Sequence, residues 1–445
     1  MKLKPYPKYK DSGIEWIGEI PEEWEVRKLK FNCQVNPSGK KYVFDEKISV
    51  TFLPMEAVTA DGNYDRDSEA EYKEVAEGYT YFTNNDVLLA KITPCFENGK
   101  GTLVDHLKNN IGFGSTEFHI LRSNSSSIPK YVYYFTKTPL FRNVGEAFME
   151  GAAGQKRIGT YFTKNFPMFT PSIKEQNNIV EFLDNKTSEI NQTIEKDKRL
   201  IELLKEKRTA LINNAVTKGL SPNAKMKDSG IDWIGEIPED WNVDRLKFLV
   251  SKINSGITPK GGSAVYTDQG IPLLRSQNIH FDGLKLEDVA YIPEDIYQTM
   301  LNSAVKRHDV LINITGASIG RCTHVEKEFE KANVNQHVCI MRPKKIFYKY
   351  LSYYLRSRLG QDQVFSVQMG TSREGLNFEQ LGNFIVFHPN KQEQQKIVQY
   401  LDKQTSKIDK TIQKIERKIE LLEEYKKSLI HYVITGKIDV RSVAA

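Results

Sequence analysis

KDSGIEWIGEIPEEWEVRKLKF, residues 10–31, returns as KDSGIDWIGEIPEDWNVDRLKF at residues 227–248. Seventeen of these 22 positions are identical at an offset of 217. The copies hold all four tryptophans of the chain, Trp16 matching Trp233 and Trp24 matching Trp241. A repeat of this kind sets the architecture before any local reading does, because each copy must seed the same structural unit.

A second repeat runs from Phe166 and from Phe384, at an offset of 218. It contains FTPSIKEQNNIVEFLDNKTSEI in copy one and FHPNKQEQQKIVQYLDKQTSKI in copy two. Each copy opens with a helix-start signal, Ser172 with Glu175 and Asn390 with Glu393, in which cap and glutamate can satisfy orphan amides reciprocally. No glycine or proline follows until Gly219 and Gly436. Each stretch therefore predicts one helix of about 45 residues, roughly 65 to 70 Å long. The apolar residues Leu183, Ile190, Ile194, Ile201, Leu204, Leu211 and Ala215 form one heptad seam. Leu401, Ile408, Ile412, Ile415, Ile419, Leu422, Leu429 and Val433 form the other. Thr187, Asp197 and Arg208 interrupt the first seam, and Thr405 and Lys426 the second.

Between the shared segments lie two inserts that resemble each other only faintly, about 32–165 and about 249–383. Both read as mixed α/β, with buried-strand runs at Asp86–Ile92 and Asp309–Ile314. Both end in a glycine-rich polar loop carrying an arginine, GAAGQKR at 151–157 and GTSRE at 370–374. The expected domains are 1–165, a helical spacer 166–220, a second domain 221–383 and a second spacer 384–445. Two near-equal copies in one chain imply an internal two-fold axis, which makes the two helices antiparallel. The expected object is a ruler of roughly 65 Å with a different reading head at each end.

The opening SGI-x-WIGEIP-xx-W, the P-xx-EQ helix start, the LD-xx-T-x-I helix and the SREGLNF loop (372–378) resemble the specificity subunits of Type I restriction–modification systems. The resemblance spans nearly the whole chain. It implies an α/β fold: two target recognition domains joined by two long antiparallel coiled-coil helices with an internal pseudo-two-fold repeat. It also implies a non-catalytic subunit that reads a bipartite asymmetric site in double-stranded DNA. Its partners would be two methyltransferase subunits, with two restriction subunits in the full complex. S-adenosylmethionine, ATP and magnesium are expected on those partners and no cofactor on this chain. One departure is the first closing loop, GAAGQKRIGTYF, which lacks the S-x-E-G-L-N pattern of the second.

The residues themselves offer no catalytic centre. Asn36-Pro37-Ser38-Gly39 lacks the second proline and the aromatic of an adenine-gripping Asn-Pro-Pro-aromatic motif. Gly99-Lys100-Gly101 is a fragment of a phosphate-cradling loop and reads as a strand-connecting turn. The eight histidines are dispersed, and strings such as Glu326-Lys327-Glu328 read as solvated surface. Charge only permits a nucleic-acid partner: residues 32–165 carry 15 bases against 16 acids, and 249–383 carry 16 against 13. The expected DNA contacts are Lys91, Asn98, Lys100, Gln155, Lys156 and Arg157 in the first insert. In the second they are Lys260, Arg275, Gln277, Asn278, Arg321, Gln368 and Arg373. The repeated tryptophans read as domain anchors or partner contacts, since heads with different targets should not share their readers. Four scattered cysteines and the lack of an apolar stretch near 18 residues point to a reducing cytoplasm and no membrane span. Two other readings remain: a self-sufficient DNA-modifying enzyme, and a coiled-coil scaffold that does not bind DNA.

Overall fold

The computed structural model describes residues 4–38, 44–152, 154–367 and 375–442. The chain divides into two compact units, one of residues 1–197 with 416–445 and the other of residues 198–415. Both long helices are present, Ile173–Lys218 and Lys391–Ile434, and each contributes one segment to each unit.

The first unit begins with a hairpin, Tyr9–Asp11 against Glu19–Pro21. Strand Glu25–Lys28 then pairs antiparallel with Pro167–Thr170, clasping the two ends of the insert together. Inside the clasp lies an antiparallel sheet in the order Cys33–Val35, Phe118–Ser123, Asp86–Ala90, Gly101–Leu103. A second four-stranded sheet carries one parallel pair, Ser49–Leu53 with Ile111–Gly114. All five residues of Asp86–Ala90 are buried, as its continuous apolar run predicts. Helices Pro129–Lys137 and Pro139–Ala147 complete the mixed α/β head. Its core joins Val87, Tyr131, Phe135 and Phe169 to Leu183 of the first long helix and Val433 of the second.

The second unit repeats this plan. A hairpin of Met226–Asp228 and Glu236–Pro238 precedes a clasp of Asn242–Arg245 against Ile385–His388. The enclosed sheet runs Val250–Ser255, Val338–Pro343, Val310–Asn313, Cys322–His324. A smaller three-stranded sheet again contains one parallel pair, Ile271–Leu274 with Asn333–Val334. Helices Tyr348–Arg356 and Arg358–Ser366 take the places of the first head's helices.

The helix-start motifs hold the heads to the long helices. Ser172 and Asn390 cap the amides of Glu175 and Glu393 as expected. The two glutamates do not simply close a reciprocal box: Glu175 accepts from the Tyr6 hydroxyl at 2.7 Å and Glu393 from the Trp241 indole at 3.3 Å. The next residue is buried in both copies. Gln176 accepts from the Ile128 amide and Gln394 from the Phe347 amide, each at the start of a head helix. Tyr131 and Tyr350 donate to the carbonyls of Phe169 and Phe387, while Tyr134 and Tyr353 donate to Asp184 and Asp402.

The helices pack antiparallel within each unit. In the first, Lys426 meets Asn191 at 2.9 Å and Lys418 meets Asp197 at 2.8 Å, so partners advance on one helix while receding on the other. In the second, Arg208 meets Asp409 at 3.1 Å, and Ile212 and Val216 share a core with Ile397 and Leu401. The polar interruptions of the seams are therefore cross-helix partners, while Thr187 and Thr405 bond back to Leu183 and Leu401. The seams also depart from strict heptads. Leu204 and Leu211 are only half-buried, whereas Ile212, Ala215 and Val216 are buried, because the helix end packs on its head and widens its apolar face. Gly219 and Gly436 end the helices at φ +72° and +71°, a left-handed conformation glycine adopts freely.

Candidate nucleic-acid interface

In the first unit two loops meet at the end of the clasped head. Ile92 bridges Arg157, the Thr93 amide donates to the Lys156 carbonyl, and the Ile158 amide donates to the Lys91 carbonyl. Lys91, Gln155, Lys156 and Arg157 thus share one ledge, on which Gln155, Lys156 and Arg157 are exposed. Arg157 is held bidentate by Glu117 at 2.9 and 2.8 Å, which fixes its plane and holds the Glu117 carboxyl below its usual range. Beneath the ledge sits buried His119, whose ring bonds to the Ile158 carbonyl and to Asn36. Burial pulls its pKa down to about 4, so it is a neutral prop at physiological pH. Asn36, from the Asn-Pro fragment, also accepts the Ile120 amide and serves to tie strand ends together.

The other two expected residues lie elsewhere. Lys100 directs its ammonium to the Met55 carbonyl. Asn98 opens on a cavity of about 1140 Å³ that it shares with Tyr133, Lys137, Asp184 and Lys426. The cations in that cavity are largely committed: Lys137 donates to the carbonyls of Ala60, Gly99 and Gly101, and Arg142 to those of Thr136 and Phe96.

In the second unit Arg275, Gln277 and Asn278 gather on Asp288. Asn278 is buried and spends its amide on Lys285, Asp288 and the Arg275 backbone, so it shapes the turn that presents Arg275 and Gln277. Arg275 also lies over the Tyr266 ring at 5.7 Å. Lys260 is exposed on a separate loop, and Arg321 is half-buried on the turn whose carbonyl receives the Asn313 amide. Gln368 and Arg373 lie outside the described residues.

Exposed aromatics stand in sequence on both sides of each glycine-rich polar segment, and the sequence reading did not include them. Phe148 and Tyr161 are 61% and 83% exposed on either side of residues 151–157. Phe365 and Phe378 are 50% and 41% exposed on either side of residues 368–374. Exposed large apolar side chains beside polar, arginine-bearing segments suit sugar, base-edge or wedge contacts with nucleic acid. The available signal was positional: Tyr161 and Phe378 stand at the same offset of 217 as the opening repeat.

Each head is locked by an ion pair between a buried aspartate and a half-buried arginine at the start of its central strand. Arg122 grips Asp86 through two bonds of 2.8 and 2.6 Å, and Arg342 grips Asp309 through two of 2.7 and 2.8 Å. Both aspartates also cap a preceding turn, accepting from the amides of Thr83 and Lys306. Among the described residues no group of three or more His, Cys, Asp or Glu is placed to hold a metal ion. Nor is any helix among them long and apolar enough to cross a membrane.

The tryptophans divide into two classes. Trp24 and Trp241 are buried in the cores, close to the helix-ending glycines Gly436 and Gly219. Trp16 and Trp233 are 50% and 52% exposed.

Comparison with known proteins supplies the family. The profile described as Type I restriction modification DNA specificity domain matches residues 21–203 and again residues 238–421. The chain is 29% identical over 390 residues to the Type I restriction enzyme EcoAI specificity subunit of Escherichia coli, covering 70% of this chain and 64% of that protein. Over 180 residues it is 39% identical to the EcoEI specificity subunit of the same organism, but spans only 30% of it. It is 24% identical to the MjaVIII specificity subunit of Methanocaldococcus jannaschii, over 95% of both chains. Among solved structures, a chain from work on complex assembly and conformational transition of the type I R-M system aligns with a TM-score of 0.73 at 16% identity, covering 93% of this chain and 98% of that one. The HsdS subunit from Thermoanaerobacter tengcongensis aligns with a TM-score of 0.54 at 16% identity, covering 94% and 98%.

Proposed function

This chain belongs to the Type I restriction–modification DNA specificity family, and from that premise we propose that it selects the DNA site on which a modification complex acts. The observation that carries the reading is a frame written twice around two divergent heads, with exposed aromatics on both sides, in sequence, of a glycine-rich polar segment in each. A shared frame with different heads suits a site of two dissimilar halves, read asymmetrically. The ledge of Lys91, Gln155, Lys156 and Arg157 would serve one half. Arg275 and Gln277, with the loop around residues 368–374, would serve the other. Arginine and glutamine offer the forked donors that guanine and adenine edges accept.

Chemistry in this scheme belongs to partners. Two methyltransferase subunits would modify adenine, and two restriction subunits would join the full complex. S-adenosylmethionine, ATP and magnesium would be held on those subunits, in the cytoplasm. Neither head is strongly basic, so tight DNA binding should require the methyltransferase subunits and fall steeply with salt.

The test is methylation mapping of cells in which residues 32–165 are replaced by the equivalent domain of another specificity subunit. One half of the methylated motif should change while the other stays. A change in both halves, or in neither, overturns the two-head reading, and so does methyl transfer by the purified chain alone.

A further inference from the structure

The turns that carry Trp16 and Trp233 are built alike to the level of single hydrogen bonds. Asp11 accepts from the Gly13 amide at 2.9 Å, and Asp228 from the Gly230 amide at 2.9 Å. The Ser12 amide donates to the Gly18 carbonyl at 3.0 Å, and the Ser229 amide to the Gly235 carbonyl at 3.0 Å. Gly13 and Gly18 sit at φ +72° and +70°, Gly230 and Gly235 at +73° and +72°, conformations that favour glycine. Residues 11–21 and 228–238 match in exposure position by position: aspartate, tryptophan and the second glycine face solvent, while Ile20 and Ile237 anchor the hairpin beneath.

Trp16 rests one side of its ring on Phe166 at 5.8 Å, yet about half of each indole is held in water on a turn fixed by two left-handed glycines, more apolar surface than packing on the head requires. The buried tryptophans already anchor the frame. A pre-organised, half-exposed tryptophan is instead the kind of residue that dominates protein–protein contacts. Its setting disfavours DNA: Lys8, Arg27 and Arg441 pair with Glu22, Glu25 and Glu23 at the rim, and the turn around Trp16 itself presents Asp11, Glu15 and Glu19. Residues 11–25 carry six carboxylates and no base, and residues 228–242 carry five and no base. Such a field repels phosphate and favours an apolar pocket rimmed by lysine or arginine. Because the turn occurs twice with Glu15 to Asp232 as its one change over residues 11–21 and 228–238, while the heads diverge, it fits two copies of one partner.

Resting on the proposed function, we infer that each tryptophan turn is a docking point for one methyltransferase subunit. The methyltransferase is the partner that must act where the head holds DNA. Each turn leads directly into the clasp strand of its head, Glu25–Lys28 or Asn242–Arg245. A subunit that cleaves distant DNA has no such need. The two docking points differ in one respect. In the second unit the turn borders an open cleft of about 590 Å³, lined by Ile234, Glu236 and Leu220. In the first unit Lys437, which stands where Leu220 does, donates to the Glu19 carbonyl and lies over Tyr9. The second site should therefore bind more tightly.

The experiment uses the full chain and its cognate methyltransferase subunit, with stoichiometry read by native mass spectrometry and affinity by calorimetry. Trp16→Ala and Trp233→Ala should each lose one of two bound subunits, with affinity at that site down at least about 30-fold. The double variant should bind neither subunit tightly. Charge reversal by Glu15→Lys with Glu19→Lys, and by Asp232→Lys with Glu236→Lys, keeps the indoles and should weaken the same sites. The inference is overturned if the double variant still takes up two subunits at wild-type affinity. It is equally overturned if that variant keeps the methyltransferase but loses DNA or the restriction subunit. A wild-type chain that binds no methyltransferase would take the proposed function down with it.

Discussion

Position 142 in the first unit and position 361 in the second do one job with different chemistry. Arg142 donates from Nε to the Thr136 carbonyl, and Gln361 donates from Nε2 to the Leu355 carbonyl, each closing the link between the two head helices. Arg142 reaches on to Phe96 and Gln361 to Gly320. Burial pulls the arginine pKa down to about 9, whereas the glutamine carries no charge to desolvate. The frame residues around them, Tyr131 with Tyr350 and Gln176 with Gln394, do not vary at all. The two copies share the hydrogen bond and differ in the charge, which separates what the frame needs from what each head supplies in its own way.

The largest effect that would test this division is loss of a head's ion pair. Asp86→Ala removes the carboxylate that two Arg122 nitrogens and the Thr83 amide share, and should cost about 3 to 5 kcal/mol. Asp309→Ala should cost about as much, through Arg342 and Lys306. Hydrogen exchange should show each loss confined to its own unit; protection lost equally in both would mean that the heads are not independent.

Next comes acid. Burial holds His119 and His324 at about 4, below the unfolded value, so each stays neutral in the folded chain while the unfolded chain takes up a proton. Their stabilisation is complete above about pH 6.5 and is lost as pH falls toward 4, by at most roughly 3 kcal/mol each. Denaturant titrations across that window should show the slope, and His119→Gln should flatten it in the first unit alone.

The smallest effect is the most discriminating. Arg142→Gln should change stability by less than about 1 kcal/mol, because Gln361 already shows an amide closing that link. Arg142→Ala should cost about 2 to 3 kcal/mol by stranding buried carbonyls. If glutamine proved as damaging as alanine, the charge and not the hydrogen bond would be what the position keeps.

The repeat, the two long helices and their glycine stops were legible in the chain because each is written in local, periodic signals. Asp197, Arg208 and Lys426 were legible only as blemishes in a seam. Their partners Lys418, Asp409 and Asn191 lie more than 200 residues away, and no local pattern marks them. The interface residues were harder still. Asn278 looks like a reader and is a buried brace, while Tyr161 and Phe148 look like core and stand in solvent. Residue type says what a side chain can do; only packing decides whether it faces water.

The division of the chain has a consequence for its synthesis. The second unit is one continuous segment, residues 198–415, whereas the first is closed by residues 416–445. Leu429, Ile430 and Val433 join the core that holds Trp24. A nascent chain stopped short of residue 416 thus holds every residue of the second unit and an unfinished first one. The unit whose head leaves the ribosome first is the last to receive its full core, and a frameshift after residue 416 would strike the first unit and spare the second.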